Sequence, residues 1–198
     1  MKTYFIRHAE SLDASQNLVQ RRNSQLSGKG MKQANEISKS LLNIPFDYLA
    51  SSPLLRARQT LEIIASNISN HQTLETLNLL EEERRPTEIL GLSHTDEVVK
   101  NILKQIDENY YNPDYRYSDE DNFYDLVNRV NELKAYLEKA EHENLLLVSH
   151  GNLIKMFMMV LKYKHQLTPA IFKSEKIEIP NTKVYLWEYD NEWKEANL

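Results

Sequence analysis

The fold of this chain is decided by one stretch of sequence, LLLVSHG at residues 145–151. Its four apolar residues predict a strand that is buried on both faces of a sheet and that ends at Ser149-His150. Residues 151–161 then read as a helix. A second run, residues 3–6, is β-branched and aromatic, and it predicts a buried strand that ends at Arg7-His8. The two patterns together indicate two strands whose carboxyl ends each carry a histidine.

Helices are predicted between these strands. Ser27 has the position of a helix N-cap, and the apolar residues from there to Pro45, which ends the helix, have helical spacing. Ser52 is predicted to cap the next helix, with a proline at its first position. Residues 95–110 and 120–140 are predicted to form two more helices, which a polar, tyrosine-rich segment separates.

Two further strands complete the predicted sheet. Tyr48 to Ala50 forms a short one, and residues 183–189 form a late one, for which an edge position is one option. Strands that alternate with helices indicate an α/β fold with a mostly parallel sheet. Residues 109–122 are expected to be the longest loop, and loops of this length often carry function.

Composition excludes several classes of chemistry. The chain has 198 residues, a length typical of one domain (residues 1–198), and its 41% hydrophobic and 27% charged residues are typical of a soluble globular protein. The absence of cysteine excludes disulfides, thiolate catalysis and cysteine-ligated zinc. The four glycines fit neither the dinucleotide-binding fingerprint nor the P-loop.

Charge and hydrophobicity limit the expected partners. Because the net charge is -5, we do not expect the protein as a whole to be attracted to nucleic acid or to an anionic membrane. No stretch is as long and apolar as a membrane helix, and residues 1–6 are too few for a signal peptide. We therefore expect a cytoplasmic protein without nucleic-acid or membrane partners, and a homodimer is compatible with the sequence.

The two strand-end histidines are the main candidates for chemistry. In open α/β sheets ligands bind outside the carboxyl ends of the strands, so His8 and His150 are expected in one crevice, although either alone could equally be structural. Arg7 adds a permanent charge in a fork geometry that suits phosphoryl oxygens. Arg56 and Arg58 lie in the first turns of a helix, where anions bind. Being two positions apart, they point in different directions, so we expect one to face the site and the other solvent.

These motifs together resemble the histidine phosphatase superfamily, also called the phosphoglycerate mutase-like family. The matching stretches, in the family's order, are Arg7-His8-Ala9-Glu10-Ser11, Ser51 to Thr60, Glu83-Arg84, and Ser149-His150-Gly151-Asn152. The stretch from Leu26 to Ala34 is also similar to one that is common in the family. The resemblance covers nearly the whole chain and implies a phosphoglycerate mutase-like fold, a three-layer α/β/α sandwich around a mostly parallel sheet.

The resemblance implies roles for four residues of the pocket. His8 matches the nucleophile that becomes phosphorylated. His150 matches the second histidine, which contacts the phosphoryl group. Arg7 and Arg56 match the arginines that bind phosphate.

The resemblance also implies an acid that protonates the leaving oxygen. Glu83 matches it best, although Glu81 and Glu82 are adjacent and leave the register open. Further candidates for contact with the substrate are Arg84, Arg85 and Asn152. The tyrosines and the arginine of residues 110–117 either line the substrate entrance or belong to a solvated surface loop.

Departures from the family pattern bear on specificity. An alanine, Ala9, follows the Arg-His pair, where the family often has glycine. Ala14 stands where mutases and sugar bisphosphatases usually carry asparagine, and Arg84-Arg85-Pro86 replaces a glycine-rich run. Mutases also tend to be longer. These departures favour a phosphatase over a mutase.

We therefore expect a phosphatase that acts on phosphomonoesters or phosphohistidine, in a small molecule or a phosphoprotein, without a metal or other cofactor. Phosphoryl transfer needs positive charge around the equatorial oxygens, which two arginines and two histidines supply. A neutral imidazole is a competent nucleophile near pH 7. The alternatives are a phosphoglycerate-type mutase, which needs a bisphosphorylated primer, and an inactive module that binds phosphorylated ligands. The sequence does not identify the physiological substrate.

Overall fold

The computed structural model describes residues 1–68 and 73–196. Within these residues six strands form one sheet, with the spatial order β3-β2-β4-β1-β5-β6. The strands are β1 (Lys2–Arg7), β2 (Tyr48–Ser51), β3 (Leu74–Thr76), β4 (Asn144–Ser149), β5 (Val184–Tyr189) and β6 (Trp193–Ala196). The pairings among β1 to β4 are parallel, whereas β5 is antiparallel to β1 and β6 is antiparallel to β5. The prediction of a mostly parallel sheet is confirmed.

Helices connect the strands and cover the sheet. They are α1 (Leu12–Ser15), α2 (Gly28–Ser40), α3 (Leu55–Asn67), α4 (Glu97–Glu108), α5 (Phe123–Leu137), α6 (Gly151–Tyr163) and α7 (Pro169–Ser174). Short 3-10 turns occur at Asn78–Leu80, Thr87–Ile89 and Lys164–Gln166. No helix of the described ranges is long and apolar enough to cross a membrane.

The two faces of the sheet are covered by different helices, because successive residues of a strand point to opposite sides. On one side Ile6 and Val148 pack against α2 and α3 in a buried cluster that includes Ile64. On the other side Phe5 and Leu147 pack against the apolar residues of α5 and α6. This double coverage explains the continuous apolar run in β4 and gives the three-layer sandwich that the resemblance implied.

The prediction that Ser27 caps a helix is confirmed, and the prediction that Ser52 caps one is wrong. The Ser27 side chain accepts a hydrogen bond from the backbone N–H of Gly30, as an N-cap should. Helix α3 begins later than predicted, at Leu55, and its N-cap residue makes no side-chain hydrogen bond. The Oγ of Ser52 instead lies 2.8 Å from the Nε2 of His150. This serine therefore orients a histidine and does not cap the helix.

The edge position considered for the late strand is wrong. Strand β5 pairs with β1 on one side and with β6 on the other. The sequence did not indicate β6 or β3, because both are short and mostly polar and exposed. Short, polar edge strands limit pairing with other chains.

The longest irregular segment is not the predicted one. Residues 109–122 do connect α4 to α5, but residues 77–96 between β3 and α4 form a longer connection that contains only two 3-10 turns. This longer segment contains Glu81 to Arg85. It follows β3 and passes beside the carboxyl end of β4, where the Ser149 hydroxyl donates to the carbonyl of Leu80 over 2.8 Å.

Candidate active site

The parallel register of β1 and β4 places the two histidines side by side. Arg7 pairs with Ser149, and the backbone N–H of His8 donates to the carbonyl of Ser149 over 2.9 Å. The ring centroids of His8 and His150 are 4.9 Å apart, and both side chains are buried. The structure therefore brings the two strand-end imidazoles into one crevice.

The hydrogen bonds of His8 define its tautomer. Its Nδ1 lies 2.7 Å from the carbonyl oxygen of Ala9, and because a carbonyl can only accept, Nδ1 must carry the proton. The Nε of Arg56 donates to Nε2 over 3.1 Å, so Nε2 has the free electron pair. Burial, reinforced by the charge of Arg56, lowers the pKa of His8 well below 6.5 and keeps the ring neutral.

Two nitrogen atoms in the crevice have no partner among the described residues. The first is Nδ1 of His150, whose Nε2 contacts Ser52. The second is Nε of Arg7, whose Nη1 donates to the carbonyl of Ile179 over 2.6 Å. Burial also lowers the pKa of His150 well below 6.5. Because buried polar atoms are nearly always hydrogen-bonded, these two nitrogens are available for contact with a ligand.

The two arginines of α3 separate as expected. Arg56 is 3% exposed and donates to the carbonyl of Arg21 as well as to His8. Burial lowers the pKa of Arg56 to about 10, so its guanidinium is still charged at neutral pH. Arg58 is exposed. Within the described ranges no three histidine, aspartate or glutamate side chains converge as metal ligands, and the positive charge in the crevice comes from arginine.

The stretch from Leu26 to Ala34 holds the loop that carries His8. The N–H of Ser27 donates to the carbonyl of Glu10 over 2.9 Å, and the N–H of Glu10 donates to Oε1 of Gln33, also over 2.9 Å. Gly30 permits this approach, since a Cβ at that position would lie 2.0 Å from the Glu10 carbonyl oxygen. The backbone that follows His8 is thus fixed against α2.

The three consecutive glutamates have different surroundings. Glu81 points away from the histidines and pairs with Arg22 at 3.0 Å. Glu83 is buried, and its carboxylate accepts from Asn152 Nδ2 at 2.7 Å and from the Tyr110 hydroxyl at 3.3 Å, with Arg85 at 3.4 Å.

Glu82 is influenced by charges of both signs, those of Glu83 and Arg56. Its Oε1 accepts from the N–H of Glu83 at 3.0 Å, and its Oε2 accepts a long bond of 3.4 Å from the N–H of Asn152. Burial first, and then the negative charge of Glu83, raise the pKa of Glu82, while Arg56 opposes the increase. The raised pKa favours the protonated form of Glu82.

Arg7, Arg56 and Gly151, which are neighbours of the two histidines in the chain or in space, line a cavity of about 550 Å³, a volume within the range of small-molecule sites. Arg84 and Arg85 line it, as the sequence suggested, but they pair with Asp121 and Glu83. Asn152 also lines it. Of the tyrosines at residues 110–117, none lines this cavity, and only Tyr110 reaches the site, through its hydroxyl contact with Glu83.

Sequence reasoning missed four residues that contribute to the site. The Thr60 hydroxyl accepts from the N–H of Ala9 at 3.0 Å, and the Asn181 side chain donates to the carbonyl of His8 at 2.7 Å. The other two are Ser52, which contacts His150, and Lys155, which lines the cavity. Helical spacing from Gly151 could have identified Lys155, whereas no local pattern indicates the long-range contact of Asn181.

Comparison with known proteins gives consistent matches. A family model described as histidine phosphatase superfamily (branch 1) matches residues 3–197. A protein of Proteus mirabilis named probable phosphoglycerate mutase GpmB is 29% identical over 157 residues, which are 76% of this chain and 70% of that protein. A broad-specificity phosphatase of Saccharomyces cerevisiae is 28% identical over 200 residues, covering 98% of this chain and 82% of the relative.

Solved structures agree on the fold. YhfR of Bacillus stearothermophilus superposes with a TM-score of 0.83 at 24% identity, covering 98% of this chain and 95% of that one. The α-ribazole phosphatase of Shigella flexneri superposes with a TM-score of 0.79 at 20% identity, covering 100% and 96%. At these identities the likeness supports the architecture, and the chemistry has to be argued from the residues themselves.

Proposed function

Because this chain belongs to the histidine phosphatase superfamily, we propose that it is a phosphatase that hydrolyses phosphomonoesters, with His8 as the transient phosphoryl acceptor. The observation that carries this proposal is the tautomer of His8. Its Nδ1–H donates to the carbonyl of Ala9, and its unprotonated Nε2 accepts a hydrogen bond from the Nε of Arg56. A neutral, oriented imidazole beside a fixed positive charge is what a nucleophile for a phosphoryl group requires.

In the first step the phosphoryl oxygens bind Arg7, Arg56 and the unpartnered Nδ1 of His150. The N-terminus of α6, which begins directly after His150, adds its partial positive charge. The Nε2 of His8 then attacks phosphorus as the bond to the leaving oxygen breaks. Arg7 and Arg56 hold charges that stabilise the equatorial oxygens, so the mechanism does not require a divalent metal ion.

We assign the proton donor to Glu82, one position before the residue that the sequence favoured. The side chain of Glu83 is engaged by hydrogen bonds from Asn152 and Tyr110 and lies 3.4 Å from Arg85. Glu82 accepts from the backbone N–H groups of Glu83 and Asn152, and its pKa is nevertheless raised, which suits a group that must deliver a proton. In the second step, ionised Glu82 takes a proton from the water that attacks the phosphohistidine, and inorganic phosphate leaves.

The substrate is proposed to be a small phosphorylated molecule. Support comes from the volume of the cavity, about 550 Å³, which suits a ligand of that size. The S. cerevisiae relative is named a broad-specificity phosphatase, which fits a cavity much larger than a phosphoryl group.

The decisive experiment measures the hydrolysis of 4-nitrophenyl phosphate in the presence of excess EDTA. We expect the wild type to turn over the substrate and His8→Ala not to. Mass spectrometry of the wild type after an acid-free quench should show phosphate on His8. Arg58→Ala serves as the matched surface control. Turnover by His8→Ala within tenfold of the wild type would exclude the covalent mechanism, and loss of activity in EDTA that Mg²⁺ restores would exclude metal independence.

A mutase is the second candidate, because one relative carries that name. Analysis of the products formed from 3-phosphoglycerate and a bisphosphorylated primer distinguishes a mutase from a phosphatase. Release of inorganic phosphate supports the phosphatase, and formation of the isomeric monophosphate without phosphate release supports the mutase.

A further inference from the structure

Asp13 is a buried carboxylate that the proposed mechanism does not use. We propose that it is a positioning residue, which holds the guanidinium of Arg56 against His8. It acts through Arg21, whose side chain and backbone N–H it binds and whose carbonyl accepts a hydrogen bond from Arg56. The inference rests on the proposed function and deepens it, because it names the group that fixes the cation beside the nucleophile.

The carboxylate of Asp13 accepts three hydrogen bonds from Arg21. The backbone N–H and the Nε of Arg21 donate to Oδ2 over 2.9 and 3.1 Å, and its Nη2 donates to Oδ1 over 2.5 Å. A bidentate contact between a guanidinium and a carboxylate fixes the geometry of both groups. Burial tends to raise the pKa of Asp13, but the hydrogen bonds from Arg21 and Ser24 outweigh it and lower the pKa from its ordinary value. The carboxylate is therefore ionised near pH 7.

The residue that Asp13 holds also contacts Arg56. The carbonyl oxygen of Arg21 accepts from the Nη1 of Arg56 over 3.1 Å, and the Nε of Arg56 donates to the Nε2 of His8 over the same distance. A guanidinium is planar and rigid, so contacts at two of its nitrogens fix both its position and its orientation. A continuous series of hydrogen-bonded groups therefore leads from Asp13 to the imidazole.

Ser24 gives further support to the same carbonyl. Its backbone N–H donates to the Arg21 carbonyl over 3.3 Å, and its hydroxyl accepts from the backbone N–H of Asp13 over 3.1 Å. Ser24 is itself buried. The turn at residues 21–24 is thus attached to Asp13 at both ends, so the carbonyl that binds Arg56 has little freedom to move while Asp13 is in place.

The preceding part of this loop is held by backbone hydrogen bonds alone. The N–H of Leu18 donates to the carbonyl of Asp13 over 2.9 Å, and the N–H of Val19 donates to the carbonyl of Leu92 over 2.9 Å. The N–H of Gly91 donates to the carbonyl of Val19 over 2.8 Å. Because these bonds use no side chain, we expect the loop to stay folded when the Asp13 carboxylate is altered. The change should loosen the Arg21 carbonyl and, with it, the guanidinium of Arg56.

The test is a double-mutant cycle between Asp13 and Arg56, measured as kcat/KM for 4-nitrophenyl phosphate. Asp13→Asn keeps the size of the side chain but loses its charge and one of its two acceptor oxygens. We expect it to lower kcat/KM about tenfold when Arg56 is present, since a misplacement of about 1 Å can reduce a rate by about 10²-fold. In the Arg56→Ala background the same change should cost less than about twofold. A purely structural role would give an equal loss in both backgrounds.

Asp47→Asn is the matched control. The Asp47 carboxylate also accepts backbone hydrogen bonds, from Glu143 and Asn144, but it lies at the amino end of β4, away from the histidines. Its kcat/KM should stay within about twofold of the wild type.

Arg21→Ala keeps the proposal testable if Asp13→Asn does not fold. It removes two of the three hydrogen bonds to Asp13 and a side chain that is half-exposed, while the backbone N–H and the carbonyl remain. We expect a loss of kcat/KM greater than about twofold when Arg56 is present, and a smaller one in the Arg56→Ala background. Thermal unfolding of each variant checks that the fold is retained.

A second readout does not depend on turnover. The nitrogen-15 chemical shift of the His8 Nε2 reports whether this nitrogen accepts a hydrogen bond, and Arg56→Ala gives the shift without the donor. We expect Asp13→Asn to move the shift from the wild-type value toward that of Arg56→Ala. An unchanged shift, a kcat/KM within twofold of the wild type, or an equal loss in both backgrounds would overturn the proposal. Failure of the wild type to hydrolyse 4-nitrophenyl phosphate would instead overturn the proposed function and leave the comparison of shifts intact.

Discussion

The backbone N–H of Glu83 donates to the Oε1 of Glu82 over 3.0 Å, so two consecutive carboxyl groups share one corner of the cavity. Their partners differ. Glu83 is held by Asn152, Tyr110 and Arg85, whereas Glu82 faces the charge of Arg56 and has a raised pKa. Adjacent acids with different surroundings can divide the work of charge stabilisation and proton transfer.

The first prediction separates these two roles by the leaving group. Glu82→Gln should lower kcat for alkyl phosphates by about 10²–10⁴-fold, the usual contribution of a general acid. The defect should shrink for 4-nitrophenyl phosphate, whose leaving group needs no proton. Glu83→Gln should reduce kcat for both substrates by similar factors, because it disturbs Asn152 and Glu82 together. Steady-state kinetics on both substrates test this, with Glu81→Gln as the control. If only Glu83→Gln showed a loss of kcat that depends on the leaving group, Glu83 and not Glu82 would be the proton donor.

The second prediction concerns the dependence of stability on pH. The pKa values of His8 and His150 are lowered in the folded state, so the unfolded chain binds protons first as the pH falls below 6.5. The contribution of the two histidines to the free energy of unfolding is fully present above pH 6.5. It should be lost below that pH, by about 1.4 kcal/mol per pH unit for each histidine. The raised pKa of Glu82 acts in the opposite direction and partly offsets this slope.

The measurement is urea unfolding of the wild type and of His8→Ala between pH 5 and pH 7. The variant lacks one of the two histidines, so its free energy of unfolding should fall less steeply below pH 6.5. Parallel pH dependences of the two proteins would show that His8 does not stay neutral in the folded state.

The third prediction compares two arginines of α3. Arg56→Ala removes the donor to His8 and a charge next to the phosphoryl group, and should lower kcat/KM about 10²–10³-fold. Arg58→Ala removes a charge from the exposed face of the same helix and should have no measurable effect on kcat/KM. Thermal unfolding of both variants checks that the fold is retained. A similar loss of kcat/KM in the two variants would mean that the arginines of α3 act through their overall positive charge and that Arg56 makes no specific contact with the substrate.

Strand-end histidines and the helical pattern were sufficient to predict most of the architecture. Strands β1 and β4 are buried on both faces along their centres, so their central residues are mostly apolar and stand out from the polar segments around them. Once both strands are assigned to a parallel sheet, the meeting of His8 and His150 at its carboxyl edge follows from geometry alone.

The sequence did not predict features that depend on tertiary contacts. Ser52 has the local pattern of a helix cap, yet its hydroxyl contacts a histidine 98 positions away in the chain. The choice between Glu82 and Glu83 depends on Asn152, Tyr110 and Arg85, which lie on three different segments.

The last prediction concerns the close approach that holds the His8 loop. A Cβ at Gly30 would lie 2.0 Å from the Glu10 carbonyl oxygen, a backbone atom that cannot move without shifting Ala9 and His8. Gly30→Ala should therefore lower the free energy of unfolding by at least about 2 kcal/mol and also reduce kcat/KM. Gly28, in the same helix, has nothing within 4 Å of the corresponding position. Gly28→Ala should leave activity unchanged and should raise stability by up to about 1 kcal/mol, because alanine favours the helix. Urea unfolding and kinetics of the two variants test the pair. If Gly30→Ala were as stable and as active as Gly28→Ala, the contact between α2 and the His8 loop would not be needed to position the nucleophile.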